Sequence, residues 1–488
     1  MNKLVRESFK IEILLATILL IVLIFTLYTP FPLINSDSVH GFEAMNGRYW
    51  TGKWNTYLVY NTTTHSLNEK FLTWWSPGQY LAPLFFMKFF HIQLGSSVVM
   101  VNFLSCLLGT IGFFFVFKKY GFNQLTTSLS VLMILLSSTV LTSFYNYNGG
   151  ECLNFMIFPW IILMQNLFAH KYGRYIFPGV ILFLAFLCKS QMLIVVPPLL
   201  FLLVFIQKGD LNFMFLRTGS RRFPKFTTLV SRFFPLFISV LPVMLLIYFR
   251  FISNGDTPVH SIKQLSISPE NILFPVASPL ISIYFFDSIH YFLYPRIYLY
   301  DAYLLGLSIL LIAGLVYVIR NFGEYEPQKK KYVFLAFMLY FICMSVFIVL
   351  YTKGTPIDIN PRHLKLTSYL LYPVFLEMAF TKFKKSWVLG GVILLGSYAL
   401  VNHIRLNTVW TEGTTVTNSG FRLMQEDMPL ALKNRVDSLV KVKTVVISPY
   451  ESRYSIDNQF VLPVLSTTDI RTGLAQYGYP LIFVDSLK

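Results

Sequence analysis

The sequence predicts an all-α polytopic membrane protein with about eleven transmembrane helices. The chain is 55% hydrophobic and only 13% charged, which leaves too little polar surface to cover a soluble globule of 488 residues. Apolar runs of the roughly 17 to 25 residues that a helix needs to cross a bilayer recur along the chain. Lysine and arginine collect in alternate connections, as the positive-inside rule requires. The net charge of +17 therefore indicates membrane orientation and no nucleic-acid partner.

The predicted spans follow one another from residue 11 to residue 402. The fifth and sixth are short and are joined only by Lys189-Ser190-Gln191, which leaves no room for a loop. We interpret them as a shallow pair that stops below the outer surface beside a wet cavity, where irregular backbone is tolerated. The eleven spans cover residues 11–29, 96–117, 125–143, 151–169, 175–188, 191–206, 233–251, 301–319, 332–351, 364–381 and 386–402.

The charge distribution predicts a cytoplasmic N-terminus and an extracytoplasmic C-terminus. With this orientation half of the 40 lysines and arginines lie on the inner side, although the outer connections are longer in total. The first span follows a basic flank without a small-residue cleavage site, so we expect a retained signal anchor. The basic, phenylalanine-rich connector 207–232 is typical of an interfacial helix on anionic membrane lipids.

Two domains are predicted. Residues 1–402 form a transmembrane catalytic module whose outer loop, residues 30–95, holds the candidate active site. Within that loop, the run from Ser76 to Phe90 and four tryptophans predict interfacial helices. Residues 403–488 have the composition of a small extracytoplasmic α/β domain, with a helix start at Asp427 and strand-like runs at Val442–Ser448, Phe460–Leu465 and Pro480–Asp485.

Three acids near the outer face are candidates for chemistry. Asp37 follows the first span by about eight residues, where a carboxylate can serve as a general base; the alternative is a solvated loop aspartate. Glu43 is a second carboxylate in the same loop, although a helix-surface charge explains it better. Glu151 begins the fourth span, and an acid so close to hydrocarbon usually faces a cavity. Its alternative is a solvated first-turn acid favoured by the helix dipole.

Four basic residues are candidates for anion binding. Lys189 lies between FLAFLC and MLIVVPP, so its charge must meet an anion, a carbonyl or water, and a lipid-linked phosphate would satisfy it. Arg296, and Arg362 with His363, adjoin spans at the outer face, where a guanidinium can hold a phosphate through two parallel hydrogen bonds. Snorkelling of these arginines to lipid headgroups is the alternative.

Four segments of the chain, which include the residues Asp37, Lys189, Arg362 and His363 described above, resemble in their order the GT-C glycosyltransferases. These are membrane enzymes that include the protein O-mannosyltransferases and the lipid A aminoarabinose transferase. The resemblance rests on four segments and covers residues 11–402. Serine follows Asp37 where the family commonly has a second acid, and His363 replaces the usual tyrosine. The four segments are Asp37, Gly52-Lys53-Trp54 with Trp74-Trp75-Ser76-Pro77-Gly78, FLAFLCKSQMLIVVPPLLFLL, and Pro361-Arg362-His363-Leu364 leading to Tyr372-Pro373.

The resemblance implies inverting transfer of a sugar from a polyprenyl-phosphate donor to a lipid, glycan or protein acceptor, on the outer face of a bacterial inner membrane. Asp37 and Glu151 would be the catalytic acids, and Lys189, Arg296, Arg362 and His363 would bind the donor phosphate. The residues expected to contact the sugar or the acceptor are Glu43, Trp74, Trp75 and Tyr80. No cofactor is implied with certainty, and a divalent metal held by ligands from separate loops stays open. The alternatives are a transporter or flippase of lipid-linked glycans, and a surface-polysaccharide polymerase or ligase.

Overall fold

The computed structural model describes most of the membrane-embedded chain and parts of the two large outer segments. The described residues are 32–34, 41–42, 44–45, 52–61, 66–72, 76–138, 140–141, 146–147, 149–168, 170, 172–207, 226–253, 265, 267–355, 357, 359–412, 414–416, 420–424, 435, 438, 445–448, 460–463 and 481–483. The predicted first span and the predicted helix start at Asp427 lie outside them.

The described chain is mostly helical. Polar caps begin two of the helices: the Asn123 side chain accepts a hydrogen bond from Thr126 N at 2.8 Å, and the Ser268 side chain accepts one from Asn271 N at 3.3 Å. The helices are α1 (Gly78–Phe90), α2 (Leu94–Lys119), α3 (Gln124–Leu135), α4 (Gly150–Leu163), α5 (Phe177–Cys188), α6 (Met192–Gln207), α7 (Phe226–Ile247), α8 (Pro269–Ile281), α9 (Tyr284–Leu293), α10 (Ile297–Arg320), α11 (Pro327–Thr352), α12 (Lys365–Tyr369), α13 (Tyr372–Lys382) and α14 (Lys385–Glu412).

Six of the described helical stretches are long and apolar enough to cross a membrane, so the chain is a multi-pass membrane protein. They are Leu94–Lys119, Gly150–Phe168, Phe233–Ile252, Ile297–Arg320, Pro327–Thr352 and Lys385–Arg405. Three shorter apolar helices, α3, α5 and α6, lie between them. The count of eleven spans stays a prediction.

The fifth and sixth predicted spans are confirmed as two separate helices. Helix α5 ends at Cys188 and α6 begins at Met192, and Lys189 between them has an extended backbone. The tenth predicted span, 364–381, differs from the prediction because it is split into α12 and α13 at Leu370 and Leu371. Pro373 is the second residue of α13, and because it has no backbone N–H it cannot donate the hydrogen bond that would continue α12 into α13.

Helices α2 and α4 pack closely along their length. A side chain at Gly109 would collide with the ring of Phe155, and one at Gly112 would come within 2.6 Å of Pro159. Small residues at such positions allow helix backbones in membranes to approach each other. At the end predicted to be cytoplasmic, Lys119 Nζ donates to Leu163 O at 3.1 Å, so a cation from α2 satisfies a carbonyl at the C-terminus of α4.

Strands occur in both large outer segments. The first outer loop contains an antiparallel hairpin of β2 (Thr56–Asn61) and β3 (Ser66–Phe71), where only helices were predicted. The predicted helix after it is confirmed as α1. In the tail, each of the three predicted runs contains a strand, and the three form a parallel sheet in the order β8-β7-β9; these strands are β7 (Val445–Ser448), β8 (Phe460–Pro463) and β9 (Leu481–Phe483).

A further four-stranded sheet joins distant parts of the chain. It combines β1 (Leu33–Ile34) from the first outer loop, β4 (Asn146–Tyr147) from just before α4, and β5 (Thr414–Val416) and β6 (Arg422–Met424) from the tail. The strands lie in the order β4-β1-β6-β5. Strand β1 pairs in parallel with both β4 and β6. Helix α14 runs to Glu412, so the predicted domain boundary after residue 402 lies within it. An independently folded tail domain stays a prediction.

Candidate functional site

Glu151 lies at the centre of a buried ionic cluster. Its side chain is 2% exposed, and its two carboxylate oxygens form ion pairs with Lys189 and Lys365. Lys365 is itself only 3% exposed. The alternative of a solvated first-turn acid is therefore wrong for Glu151. A carboxylate held between two ammonium groups stays ionised, so the cluster favours a role for Glu151 in fixing the lysines; its predicted catalytic role stays a prediction.

Close backbone packing brings Glu151 and Lys189 together. Glu151 is in the first turn of α4, directly after Gly150. A side chain at Gly150 would come within 2.7 Å of Cys188 O and 2.9 Å of Lys189 Cβ, so only glycine lets α4 start against the turn between α5 and α6. Gly78, at the start of α1, likewise leaves no room for a side chain beside Leu187 O. The turn between α5 and α6 thus presents Lys189 to the head of α4.

The chain before α12 supplies the other charges. A short turn, Pro361–His363, is capped by Asn360, whose side chain accepts a hydrogen bond from Arg362 N at 3.0 Å. Arg362 lies in this turn, three residues before Lys365, and its positive charge acts on both Glu151 and Lys189. Lys365 follows as the first residue of α12.

His363 is fixed against the turn that carries Lys189. The Gln191 side chain donates to His363 O, and Gln191 Oε1 lies 3.5 Å from His363 Nδ1. The imidazole also stacks on the ring of Phe347, with centroids 5.4 Å apart and an angle of 23° between the planes. The structure therefore brings together three of the four predicted phosphate-binding residues.

The charge balance of the cluster is positive. One carboxylate, on Glu151, faces the cations of Lys189, Lys365 and Arg362, which gives a net charge of +2. Lys189 and Arg362, which carry the excess positive charge, are only partly exposed to solvent, so water screens them incompletely. An anion would balance this excess. A phosphate suits both guanidinium and ammonium donors: the diester of a sugar-loaded donor carries one negative charge, and the monoester left after transfer carries about two.

Arg296 and Tyr80 are placed differently from these residues. Arg296 is exposed, and its guanidinium lies 4.4 Å from the centroid of the Phe292 ring. Tyr80 is 2% exposed, and its hydroxyl donates to Asn55 Oδ1 at 2.8 Å. Burial raises the pKa of the Tyr80 hydroxyl well above its usual range. The structure gives Tyr80 a packing role between the hairpin and α1, and its contact with sugar or acceptor stays a prediction.

Four predicted site residues lie outside the described part of the chain: Asp37, Glu43, Trp74 and Trp75. Their roles stay predictions. Two members of the site were not predicted, Lys365 and Gln191. Gln191 belongs to the same three-residue connection as Lys189, and a polar side chain there was a signal. Lys365 resembled an ordinary cation at the edge of a span. Among the residues described, no group of three or more His, Cys, Asp and Glu side chains is arranged to hold a metal ion.

Comparisons with known proteins give structural similarity without sequence similarity. No protein family model matches the chain, and no curated sequence matches it. The chain is similar to the crystal structure of ArnT from Cupriavidus metallidurans bound to undecaprenyl phosphate, with 11% identity and a TM-score of 0.46 over 96% of this chain and 89% of that one. It is also similar to the apo state of that protein, with 11% identity and a TM-score of 0.47 over 97% and 89% of the two chains. Similarity of this degree establishes neither the family of the chain nor its activity.

Proposed function

We propose that the chain is a GT-C membrane glycosyltransferase that moves a sugar from a polyprenyl-phosphate donor to a lipid, glycan or protein acceptor on the extracytoplasmic face. The observation that carries the proposal is the cluster of Lys189, Lys365 and Arg362 around the buried Glu151, with its net charge of +2. It adjoins the shallow apolar pair α5 and α6, where a phosphate attached to a hydrocarbon chain can arrive from within the bilayer.

The reaction divides between two parts of the chain. The acceptor hydroxyl gives its proton to Asp37, and its oxygen bonds to the anomeric carbon of the donor sugar from the side opposite the phosphate. The bond between that carbon and the phosphate oxygen breaks, and the polyprenyl phosphate leaves with inversion at the sugar. Negative charge grows on the departing phosphate, where Lys189, Lys365 and Arg362 stabilise it.

Glu151 fixes the positions of the two lysines in the proposed site. Its two oxygens hold Lys189 and Lys365 at fixed positions before the donor arrives. Donors fixed in advance do not have to reorganise as charge develops, and this is the main source of electrostatic catalysis. Glu151 also lowers the repulsion among three neighbouring cations in the empty site.

Substitution Asp37→Asn tests the proposed chemistry. The variant keeps the shape of the side chain but cannot accept the proton, so we expect the protein to fold and bind undecaprenyl phosphate while transfer is lost. Transfer is measured by mass spectrometry of surface glycans and glycoproteins, comparing a strain that lacks the chain with strains that produce the parent or the variant. The sugar missing from the deletion strain also identifies donor and acceptor.

Glu69→Gln is the matched control in the same loop. Glu69 pairs with Lys53 at 2.6 Å on the exposed hairpin, and an exposed pair contributes little, so this variant should behave as the parent. An unchanged product in Asp37→Asn would remove Asp37 from the mechanism. Movement of labelled lipid-linked glycan into sealed vesicles without covalent transfer would favour the flippase instead.

A further inference from the structure

The tail of the chain pairs with the outer loop that carries Asp37. Strand β6 lies beside β1 in the four-stranded sheet, with Arg422 opposite Leu33. Strand β1 ends at Ile34, three residues before Asp37. Three residues of fully extended backbone span at most about 10 Å. Residues 420–424, which we call the tail strap, therefore hold the chain just before Asp37.

The tail strap also holds the chain just after Asp37. Phe421 is 4% exposed and packs on Phe42, with ring centroids 5.8 Å apart. Phe42 in turn stacks on Tyr147 at 5.9 Å, and Tyr147 donates a hydrogen bond to Gln79 O at the start of α1. Phe42 follows Asp37 by five residues. The described residues on both sides of Asp37 are thus in contact with a segment from beyond α14.

The strap lies against the protein without spare room. A side chain at Gly95, in the first turn of α2, would collide with the carbonyl group of Gly420. Phe421 belongs to a small apolar cluster with residues of the first outer loop, α1 and α2. The members of this cluster are Phe42, Ala44, Leu72, Tyr80, Leu94, Val98, Tyr147 and Phe421.

We propose that the tail strap is a positioning element that fixes the Asp37 segment for catalysis. This inference rests on the proposed function, since it assumes that Asp37 is the base. Strand β6 and Phe421 act on the two flanks of Asp37, whereas the cations of the donor site are held by Glu151. Loss of the strap should therefore disturb proton acceptance and leave phosphate binding in place.

Two substitutions in the full-length protein test the strap. Gly95→Ala displaces Gly420, and Phe421→Ala removes the ring that contacts Phe42. Each should speed amide hydrogen exchange in the peptide of residues 32–45, measured by mass spectrometry in nanodiscs. Each should also lower transfer by about 100-fold, the loss expected from a misplacement near 1 Å, while undecaprenyl phosphate binding stays within about twofold. Phe421→Leu should recover most of the transfer.

Gly306→Ala is the matched control, because a side chain at Gly306 meets nothing within 4 Å. It should change neither exchange nor transfer. Normal exchange in residues 32–45 of both strap variants would overturn the proposal. So would loss of phosphate binding in both, since the strap would then be a general structural element. If the parent protein binds no undecaprenyl phosphate, the proposed function fails, and the exchange measurement still decides whether the strap holds this segment.

Discussion

Lys365 and Glu151 form an ion pair. Removing the charge of Lys365 should weaken phosphate binding, and removing the charge of Glu151 should strengthen it. Lys365→Met keeps a long side chain without charge and lowers the net charge of the cluster from +2 to +1. Glu151→Gln keeps the shape of the acid and raises the net charge to +3. Both variants lose the Lys365–Glu151 pair, and Glu151→Gln also loses the pair with Lys189, so a simple loss of structure would weaken phosphate binding in both.

The burial of the pair sets the magnitude. Lys365 and Glu151 are 3% and 2% exposed, and breaking a buried ion pair costs roughly 3 to 5 kcal/mol of folding stability. Both variants should therefore unfold at lower temperature than the parent. A hydrogen bond to a charged group contributes about 1.5 to 3 kcal/mol, so Lys365→Met should weaken phosphate binding about 10- to 150-fold. Glu151→Gln should bind phosphate more tightly than the parent.

Thermal unfolding in nanodiscs measures both effects. A ligand stabilises the folded state in proportion to the logarithm of its concentration over Kd, so titration with undecaprenyl phosphate gives Kd and undecaprenol serves as the uncharged control. The phosphate should restore more of the lost stability to Glu151→Gln than to Lys365→Met. The same Kd in both variants, or tighter binding by Lys365→Met, would refute the assignment of this cluster to a phosphate.

Two further predictions concern the buried polar residues Asp287 and Asn55. Burial raises the pKa of Asp287 to about 7, so the folded state retains a proton that the unfolded chain releases near pH 4, and stability falls as pH rises between these values. Above pH 7 this effect costs the parent protein up to about 4 kcal/mol of folding stability, and Asp287→Asn should remove that cost. The variant should therefore gain more in unfolding temperature at pH 8 than at pH 5. An equal gain at both pH values would contradict the raised pKa. Asn55→Ala should cost about 2 to 4 kcal/mol, because the Asn55 side chain bonds Leu72 O and the buried Tyr80 hydroxyl. Asn55→Gly adopts the φ of +58° without strain, so its effect measures the loss of the hydrogen bonds alone. Unchanged amide exchange in the hairpin of both variants would show that these hydrogen bonds are dispensable.

The sequence predicts the part of the site in which a charge conflicts with its surroundings. Lys189 lies within an apolar stretch too long for one span and too short for two full spans with a loop, and this conflict indicates both the helix pair and a cation that needs a partner. Glu151 at the head of a span is visible for the same reason. Each of these residues is unusual for its own neighbourhood, so no knowledge of the fold is needed to notice it.

Other parts of the site depend on contacts between distant segments. Lys365 is unremarkable in sequence and becomes part of the cluster only through its contact with Glu151, which is more than 200 residues earlier in the chain. Strand β6 has three residues, too few to show an alternating pattern, and β1, one of its two partners, is almost 400 residues away. The β2–β3 hairpin did have a signal, since TYLVYN and SLNEKF are separated by a polar turn, but the neighbouring tryptophans favoured interfacial helices.

The four-stranded sheet also constrains how the chain threads through the bilayer. Its strands come from before α2, from between α3 and α4, and from after α14, and all must lie on the same side of the membrane. The number of crossings between Tyr147 and Thr414 is therefore even. The predicted spans in that interval number eight when α5 and α6 each count as a crossing, and seven when they are merged. The even number of crossings that the strand pairing requires thus supports two separate spans on either side of Lys189, independently of the distribution of charged residues.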